Sequence, residues 1–136
     1  MKRAIKATMP EMASYELYVE EIKSIWNTGS MTNNGPKVRH FREELSKYMK
    51  CPNVELFVNG HSSILIALKA LDFPQGGEVL TSPFTFVSTT NAIVQSGFVP
   101  VFCDIDETYN IDVDSIRRNI TSKTCAIVTP HIFGIP

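Results

Sequence analysis

Apolar side chains recur every three to four residues over the first third of the chain, a spacing typical of amphipathic helices. Ser14 precedes the first such stretch and predicts a helix that its hydroxyl caps and that runs to about Asn27. Pro36 stands where a first helical residue often lies and predicts a second helix, which Pro52 prevents from continuing. Both apolar stripes predict core packing: Tyr15, Val19, Ile22 and Trp26 in the first helix, and Val38, Phe41, Leu45 and Tyr48 in the second.

From residue 53 onward the pattern changes, because short runs of β-branched and aromatic residues alternate with helical stretches. Four strands are predicted, over residues 54–58, 78–81, 99–103 and 124–129. Three helices are predicted between them, over residues 64–71, 86–95 and 113–120. Alternating strands and helices are typical of β-α-β crossovers, so we expect an α/β fold with a largely parallel sheet.

These patterns divide the chain into a lead-in segment over residues 1–13, two helices within 14–52 and an α/β portion over 53–136. The last residues follow directly on the last predicted strand, with no helix to cover that part of the sheet. Both faces of a parallel sheet need cover. We therefore expect residues 53–136 to be a partial domain, and the chain to be the N-terminal piece of a longer protein.

The composition argues against nucleic-acid-binding, membrane and secreted proteins. The 136 residues include 13 basic and 14 acidic side chains, for a formal net charge of −1, and neither sign forms a block. This balance argues against a nucleic-acid-binding arm or a polybasic membrane patch. No apolar run approaches the ~20 residues of a membrane helix, and no secretory signal follows the basic N-terminus. The three cysteines lack C-x-x-C spacing and indicate reduced thiols, so we expect a cytoplasmic protein without nucleic-acid or membrane partners.

The first candidate site is the turn Asn59-Gly60-His61-Ser62-Ser63, between a predicted strand and a predicted helix. Glycine allows a tight bend and a close approach of a ligand to the backbone. The first turn of the following helix presents unpaired N–H groups and a partial positive charge, which suit a phosphate or a carboxylate. The alternative is that Asn59 or Ser62 only caps the helix, and the residues alone leave both interpretations open.

The second candidate is the segment 82–91, which follows the carboxyl end of a predicted strand and carries Phe84, Phe86 and several hydroxyl groups. Open α/β sheets bind ligands at that edge, where an aromatic ring can stack on a flat cofactor. The alternative is that both phenylalanines pack in the core.

The third candidate is a group of acidic residues after the third predicted strand: Asp104, Asp106, Glu107 and Asp112. Carboxylates in such a position can hold Mg²⁺, but they more often shape turns and cap helices. Asp112 directly precedes a predicted helix, so we interpret it as a cap and expect no metal site.

Several segments, in order along the chain, resemble those of one family. They are Thr32-Asn33-Asn34-Gly35-Pro36, Asn59-Gly60-His61-Ser62-Ser63, the stretch from Pro83 to Ala92, the stretch from Gly97 to Asp106, and the stretch from Thr129 to Pro136. From about residue 14 to the end, the chain is similar to the DegT/DnrJ/EryC1/StrS sugar aminotransferases, which use pyridoxal 5′-phosphate.

The resemblance implies the N-terminal part of the large domain of a fold type I aminotransferase, with a mostly parallel sheet and flanking helices. It also implies a homodimer that moves an amino group, commonly from glutamate, onto a keto group of a nucleotide-linked sugar.

Site residues follow from the same resemblance. Gly60, with the backbone N–H groups of His61 and Ser62, is expected to hold the cofactor phosphate. Phe86 is expected to stack on the pyridine ring, with Phe84 as the alternative, and Thr32 lies in a loop that approaches the substrate. His61 departs from the family, because many members carry threonine there.

The family's Schiff-base lysine lies beyond residue 136, so the resemblance implies that these residues alone are inactive although the parent protein is an enzyme. Two alternatives stay open. One is a sugar dehydratase of the same family that uses the same cofactor, and the other is a non-catalytic remnant that binds a partner or a phosphate ligand.

Overall fold

The computed structural model describes residues 10–136. Most of the lead-in segment predicted over residues 1–13 therefore lies outside the described residues. The chain forms two compact units, one that ends at Glu55 and one that begins at Leu56.

The first unit contains the two helices that the sequence predicts. Helix α1 (Tyr15–Thr28) begins at the predicted cap, since the Ser14 hydroxyl accepts a hydrogen bond of 3.2 Å from the Leu17 N–H. Helix α2 (Pro36–Met49) begins with the predicted proline at its first position. Both predicted helices are confirmed.

The prediction that the apolar stripes of these helices form a core is wrong. No residue of α1 or α2 is buried, and Trp26 and Tyr48 are 75% and 83% exposed. The physical reason is that two helices supply too few facing elements to enclose either stripe. No helix among the described residues combines the length and apolar character that crossing a bilayer requires.

The second unit alternates helices and strands. Its elements are α3 (Gly60–Ala70), β1 (Glu78–Thr81), α4 (Ser88–Gln95), β2 (Val99–Phe102), α5 (Val113–Asn119) and β3 (Thr124–Ile127). The strands form a parallel sheet in the order β2-β1-β3, so β1 lies at its centre. The predicted α/β fold with a parallel sheet and flanking helices is confirmed.

The core of this unit lies on both faces of β1. Val79 is fully buried in one cluster with Leu68 of α3, Ile93 of α4 and Phe98. Leu80, the next residue along the strand, is fully buried in a second cluster with Cys103 and Ile111. Successive strand residues point to opposite faces, and burying each such side chain contributes about 1.5–3 kcal/mol. This packing fixes the carboxyl end of β1, where the candidate segment 82–91 begins.

The strand predicted over residues 54–58 is not present. This segment has no regular secondary structure, no described strand pairs with it, and Val58 is 92% exposed. A run of β-branched and aromatic residues becomes a strand only when a neighbour accepts its backbone hydrogen bonds. The segment therefore leads into α3 as an irregular connection.

Candidate functional site

An open cleft of about 490 Å³ lies where α3 and α4 begin. Its volume falls within the range of about 300–1,000 Å³ that small-molecule pockets occupy. Seven residues line it: Asn59, Gly60, His61, Ile64, Phe86, Ser88 and Thr89. The structure thus places three of the sequence-predicted site residues, Gly60, His61 and Phe86, at one cleft.

The start of α3 supplies backbone donors to this cleft. The Asn59 side-chain oxygen accepts a hydrogen bond of 2.8 Å from the Ser62 N–H, and its carbonyl accepts the Ser63 N–H. In the part of the chain that the structure describes, the N–H groups of Gly60 and His61 meet no acceptor. Two free donors at the positive end of an eleven-residue helix can hold an anion.

Gly60 leaves room at this point. A Cβ atom added to Gly60 would meet no atom of residues 10–136 within 4 Å. The protein itself does not need glycine here to avoid a clash, and the backbone of α3 is therefore open to close approach by a ligand.

Phe86 presents its ring to the same cleft. It is 76% exposed, although it lies in the connection between the central strand β1 and helix α4. Its carbonyl accepts the Thr89 N–H at 3.2 Å, which joins its backbone to the first turn of α4. The alternative that Phe86 packs in the core is wrong, and the ring can stack on a flat ligand.

Phe84 has different surroundings. Its ring stacks on Tyr109 at a centroid distance of 5.7 Å and lies 6.5 Å from the ring of Phe133. The three rings come from the segments that follow β1, β2 and β3. Phe84 is half-exposed within this three-ring cluster, and it does not line the cleft.

The ring of His61 is turned toward α4. Its Nδ1 lies 3.0 Å from the Ser88 hydroxyl and 3.2 Å from the Ser88 carbonyl oxygen, and its Nε2 lies 3.2 Å from Oε1 of Gln95. Both ring nitrogens therefore have partners within the chain. The backbone N–H of His61, rather than its side chain, is the group left open to an anion.

Two other predicted residues are placed differently. Ser62 does not line the cleft, and its N–H already donates to Asn59, so its expected contact with a phosphate stays a prediction. Thr32 lies in the first unit, in a bend between α1 and α2, and its expected role near a substrate also stays a prediction.

Sequence reasoning did not single out Ser88 and Thr89, which line the cleft at the start of α4. The many hydroxyl groups of segment 82–91 are the sequence feature that points to these two residues. The sequence pattern, however, predicts that this helix starts at residue 86, two residues before the observed start of α4 at Ser88.

The acidic segment shapes a loop that does not line the cleft. Asp112 accepts hydrogen bonds of 3.0 Å from the N–H groups of Asp114 and Ser115, which confirms it as the cap of α5. Asp106 accepts the Thr108 hydroxyl at 2.6 Å and the Thr108 N–H at 2.8 Å. These bonds hold the pKa of the Asp106 carboxyl below its usual range, because they favour the charged form.

Comparison with known proteins gives a family match over most of the chain. Residues 14–136 match the model of the DegT/DnrJ/EryC1/StrS aminotransferase family. A dTDP-4-amino-4,6-dideoxy-D-glucose transaminase from Escherichia coli is 38% identical over 130 residues, which cover 95% of this chain and 34% of that protein. The chain thus spans about a third of the length of the curated relatives it matches.

Solved structures share the fold. NtdA from Bacillus subtilis with bound cofactor PMP superposes with a TM-score of 0.83 at 30% identity, over 98% of this chain and 33% of that one. DesI in the presence of its TDP-sugar product gives a TM-score of 0.81 at 29% identity, over 93% of this chain and 32% of that one. The putative sugar aminotransferase Spr1654 from Streptococcus pneumoniae is a further structural neighbour, with TM-scores of 0.83 for its PMP form and 0.81 for its PLP form.

Proposed function

Because the chain belongs to the DegT/DnrJ/EryC1/StrS aminotransferase family, we propose that its cleft binds pyridoxal 5′-phosphate and pyridoxamine 5′-phosphate (PMP). The observation that carries this proposal is the arrangement around Gly60. Two N–H groups without an acceptor among residues 10–136, an open glycine surface and an exposed aromatic ring line one cleft. A flat ring that bears a phosphate group has the two features that these groups recognise.

Different residues of the cleft would contact different parts of the cofactor. The N–H groups of Gly60 and His61 would hold the phosphate, since charge-assisted bonds to backbone donors are strong and the helix dipole adds to them. Phe86 would cover one face of the pyridine ring through stacking. Asn59 keeps α3 capped, so that the donors of Gly60 and His61 remain fixed in direction.

When bound, this cofactor supplies an electron sink for chemistry at the carbon that carries the amino group. The residues of the cleft bind and orient it. None of them is a lysine, and their proposed role is to bind the cofactor rather than to transfer a proton.

For the protein as a whole, we propose amino transfer, with glutamate as donor, onto a keto group of a nucleotide-linked sugar. Support comes from the transaminase activity named for the Escherichia coli relative and from the TDP-sugar product named for DesI. Assembly as a homodimer and location in the cytoplasm belong to the same proposal.

The test is a titration of the protein with PMP, followed through its backbone amide NMR signals. PMP has no aldehyde and does not react with surface lysines, so it reports non-covalent binding alone. We expect the largest shifts at Gly60 and His61, and much smaller shifts there with pyridoxamine, which lacks the phosphate. Saturable shifts at other residues, with Gly60 and His61 unmoved, would refute the proposed site.

A further inference from the structure

The side chain of His61 bridges the two helices that form the cleft. It extends from the second residue of α3 and contacts Ser88, the first residue of α4, and Gln95, the last one. Ser88 and Gln95 are two helical turns apart and so lie on one face of α4. A single ring therefore contacts this face of α4 near both of its ends.

Helices α3 and α4 run side by side in the same direction. His61 and Ser88 pair their first turns, and further along the Ser96 hydroxyl donates to the Leu65 carbonyl at 3.3 Å. Sliding α4 by a single residue along its axis would displace it by about 1.5 Å and break the contacts at His61. The ring thus sets how the start of α4 aligns with the start of α3.

This alignment matters because both helix starts line the cleft. Gly60 and His61 belong to the first turn of α3, and Ser88 and Thr89 belong to that of α4. Each start carries a partial positive charge whose effect falls off within one turn. Both can act on one anionic group only if the two helices keep this register.

We propose that His61 is a positioning residue that holds α4 in register with α3, so that both helix starts face the anionic group of one ligand. This inference rests on the proposed function for the nature of that ligand. The His61 side chain itself does not contact the anion, because both of its ring nitrogens are engaged with α4.

Gln95 distinguishes this role from direct binding. It does not line the cleft and is exposed at the end of α4, so it has no direct contact to offer a ligand there. If His61 works through α4, removing the Gln95 amide loosens the register and weakens binding at a distance. If His61 binds the ligand directly, removing that amide changes nothing.

The experiment measures the affinities of the protein for PMP and for pyridoxamine by calorimetry in four single variants and in the double variant His61→Ala/Gln95→Ala. The single variants are His61→Ala, His61→Asn, Gln95→Ala and the control Asn91→Ala, which removes an exposed amide of α4 that neither lines the cleft nor contacts His61. Thermal melting followed by circular dichroism checks that each variant is folded.

We expect His61→Ala to weaken PMP binding about tenfold and Gln95→Ala about threefold, which are the losses that one or two hydrogen bonds produce. The His61→Asn amide can reach Ser88 and should restore part of the loss. Pyridoxamine affinity should change less than twofold throughout, and Asn91→Ala should match the wild type. The double variant His61→Ala/Gln95→Ala should be no weaker than His61→Ala alone.

The experiment distinguishes failure of the proposed role of His61 from failure of the proposed function. A wild-type protein that binds PMP, with Gln95→Ala indistinguishable from Asn91→Ala, would overturn this inference and leave the proposed function intact. A wild-type protein with no measurable affinity for PMP would overturn the proposed function and this inference with it.

Discussion

The ring of Phe84 stacks on the ring of Tyr109, with 5.7 Å between their centroids and 28° between their planes. Phe86, two residues further along, has no such aromatic partner among the described residues and lies in the cleft instead. The two phenylalanines of segment 82–91 therefore have different roles. Phe84 joins the segments that follow the strands, and Phe86 is available to a ligand.

Replacing each phenylalanine by alanine should separate these roles. Phe86→Ala should leave the melting temperature almost unchanged, because exposed substitutions usually alter stability by less than about 0.5 kcal/mol, and should weaken PMP binding roughly tenfold. Phe84→Ala should lower stability by about 1 kcal/mol through loss of the aromatic pairs and affect PMP binding less. Melting curves and calorimetric titrations measure both effects. The reverse ranking of the two affinities would show that Phe84 is the stacking ring.

Asn59 offers a test of charge at the start of α3. Asp is as good a helix cap as Asn, so Asn59→Asp should keep the bond to the Ser62 N–H and leave the melting temperature within about 1 °C of the wild type. The new carboxylate lies beside the cleft and should repel a phosphate group. We expect PMP affinity to fall several-fold at low salt and pyridoxamine affinity to hold. An unchanged PMP affinity would mean that the phosphate does not bind near Asn59.

The hydrogen bonds of Asp106 predict a measurable titration. The Thr108 hydroxyl, the Thr108 N–H and the Asn110 N–H lower the pKa of this carboxyl below the usual value of about 3.9. Thr108→Val should raise the pKa toward that value, and Thr108→Ser, which keeps the hydroxyl, should not. NMR titration of the side-chain carbonyl carbon measures both.

The same shift has a consequence for stability. A folded-state pKa below the unfolded one stabilises the protein above the unfolded value, and this contribution is lost as the pH falls through the folded value. Thr108→Val should therefore be less stable than the wild type near neutral pH, with the difference shrinking below pH 4. A difference that stays constant from pH 7 to pH 3 would show that Asp106 is not its source.

The three thiols should differ in reactivity. Cys51 is exposed, Cys125 is half-buried and Cys103 is buried against Leu80. Burial is the largest cause that raises the pKa of the Cys103 thiol, so less reactive thiolate forms there. Alkylation at pH 8 followed by mass spectrometry should modify Cys51 first and Cys103 last, and denaturant should abolish the order. Labelling of Cys103 as fast as Cys51 in the folded protein would contradict the packing of the second cluster.

Much of the fold could be predicted from the sequence because its signals are local. The Ser14 and Asp112 caps, Pro36 at a helix start and the strand over residues 78–81 depend on neighbours within a few positions. The strand predicted over 54–58 failed because a strand requires a partner, which no local pattern can supply.

The site also combines features with local sequence signals and contacts between distant segments. Motifs single out Gly60 and Phe86, which both line the cleft, and a motif describes each residue in its own segment. The contacts of His61 with Ser88 and Gln95 join residues distant in sequence, and they depend on how α3 packs against α4. Sequence spacing carries no information on that distance, so the direction of the His61 ring could not be predicted.

The affinity of Gly60→Ala for PMP tests the central claim most directly. An added Cβ meets no described residue within 4 Å, so the variant should be at least as stable as the wild type. Gly35→Ala, outside the cleft and with its Cβ in ordinary contact at 3.6 Å, is the control for the substitution. If a phosphate rests against the start of α3, Gly60→Ala should lose about tenfold or more in PMP affinity, with pyridoxamine affinity and the control unchanged. Wild-type PMP affinity in a folded Gly60→Ala protein would contradict the claim that this helix start holds the cofactor.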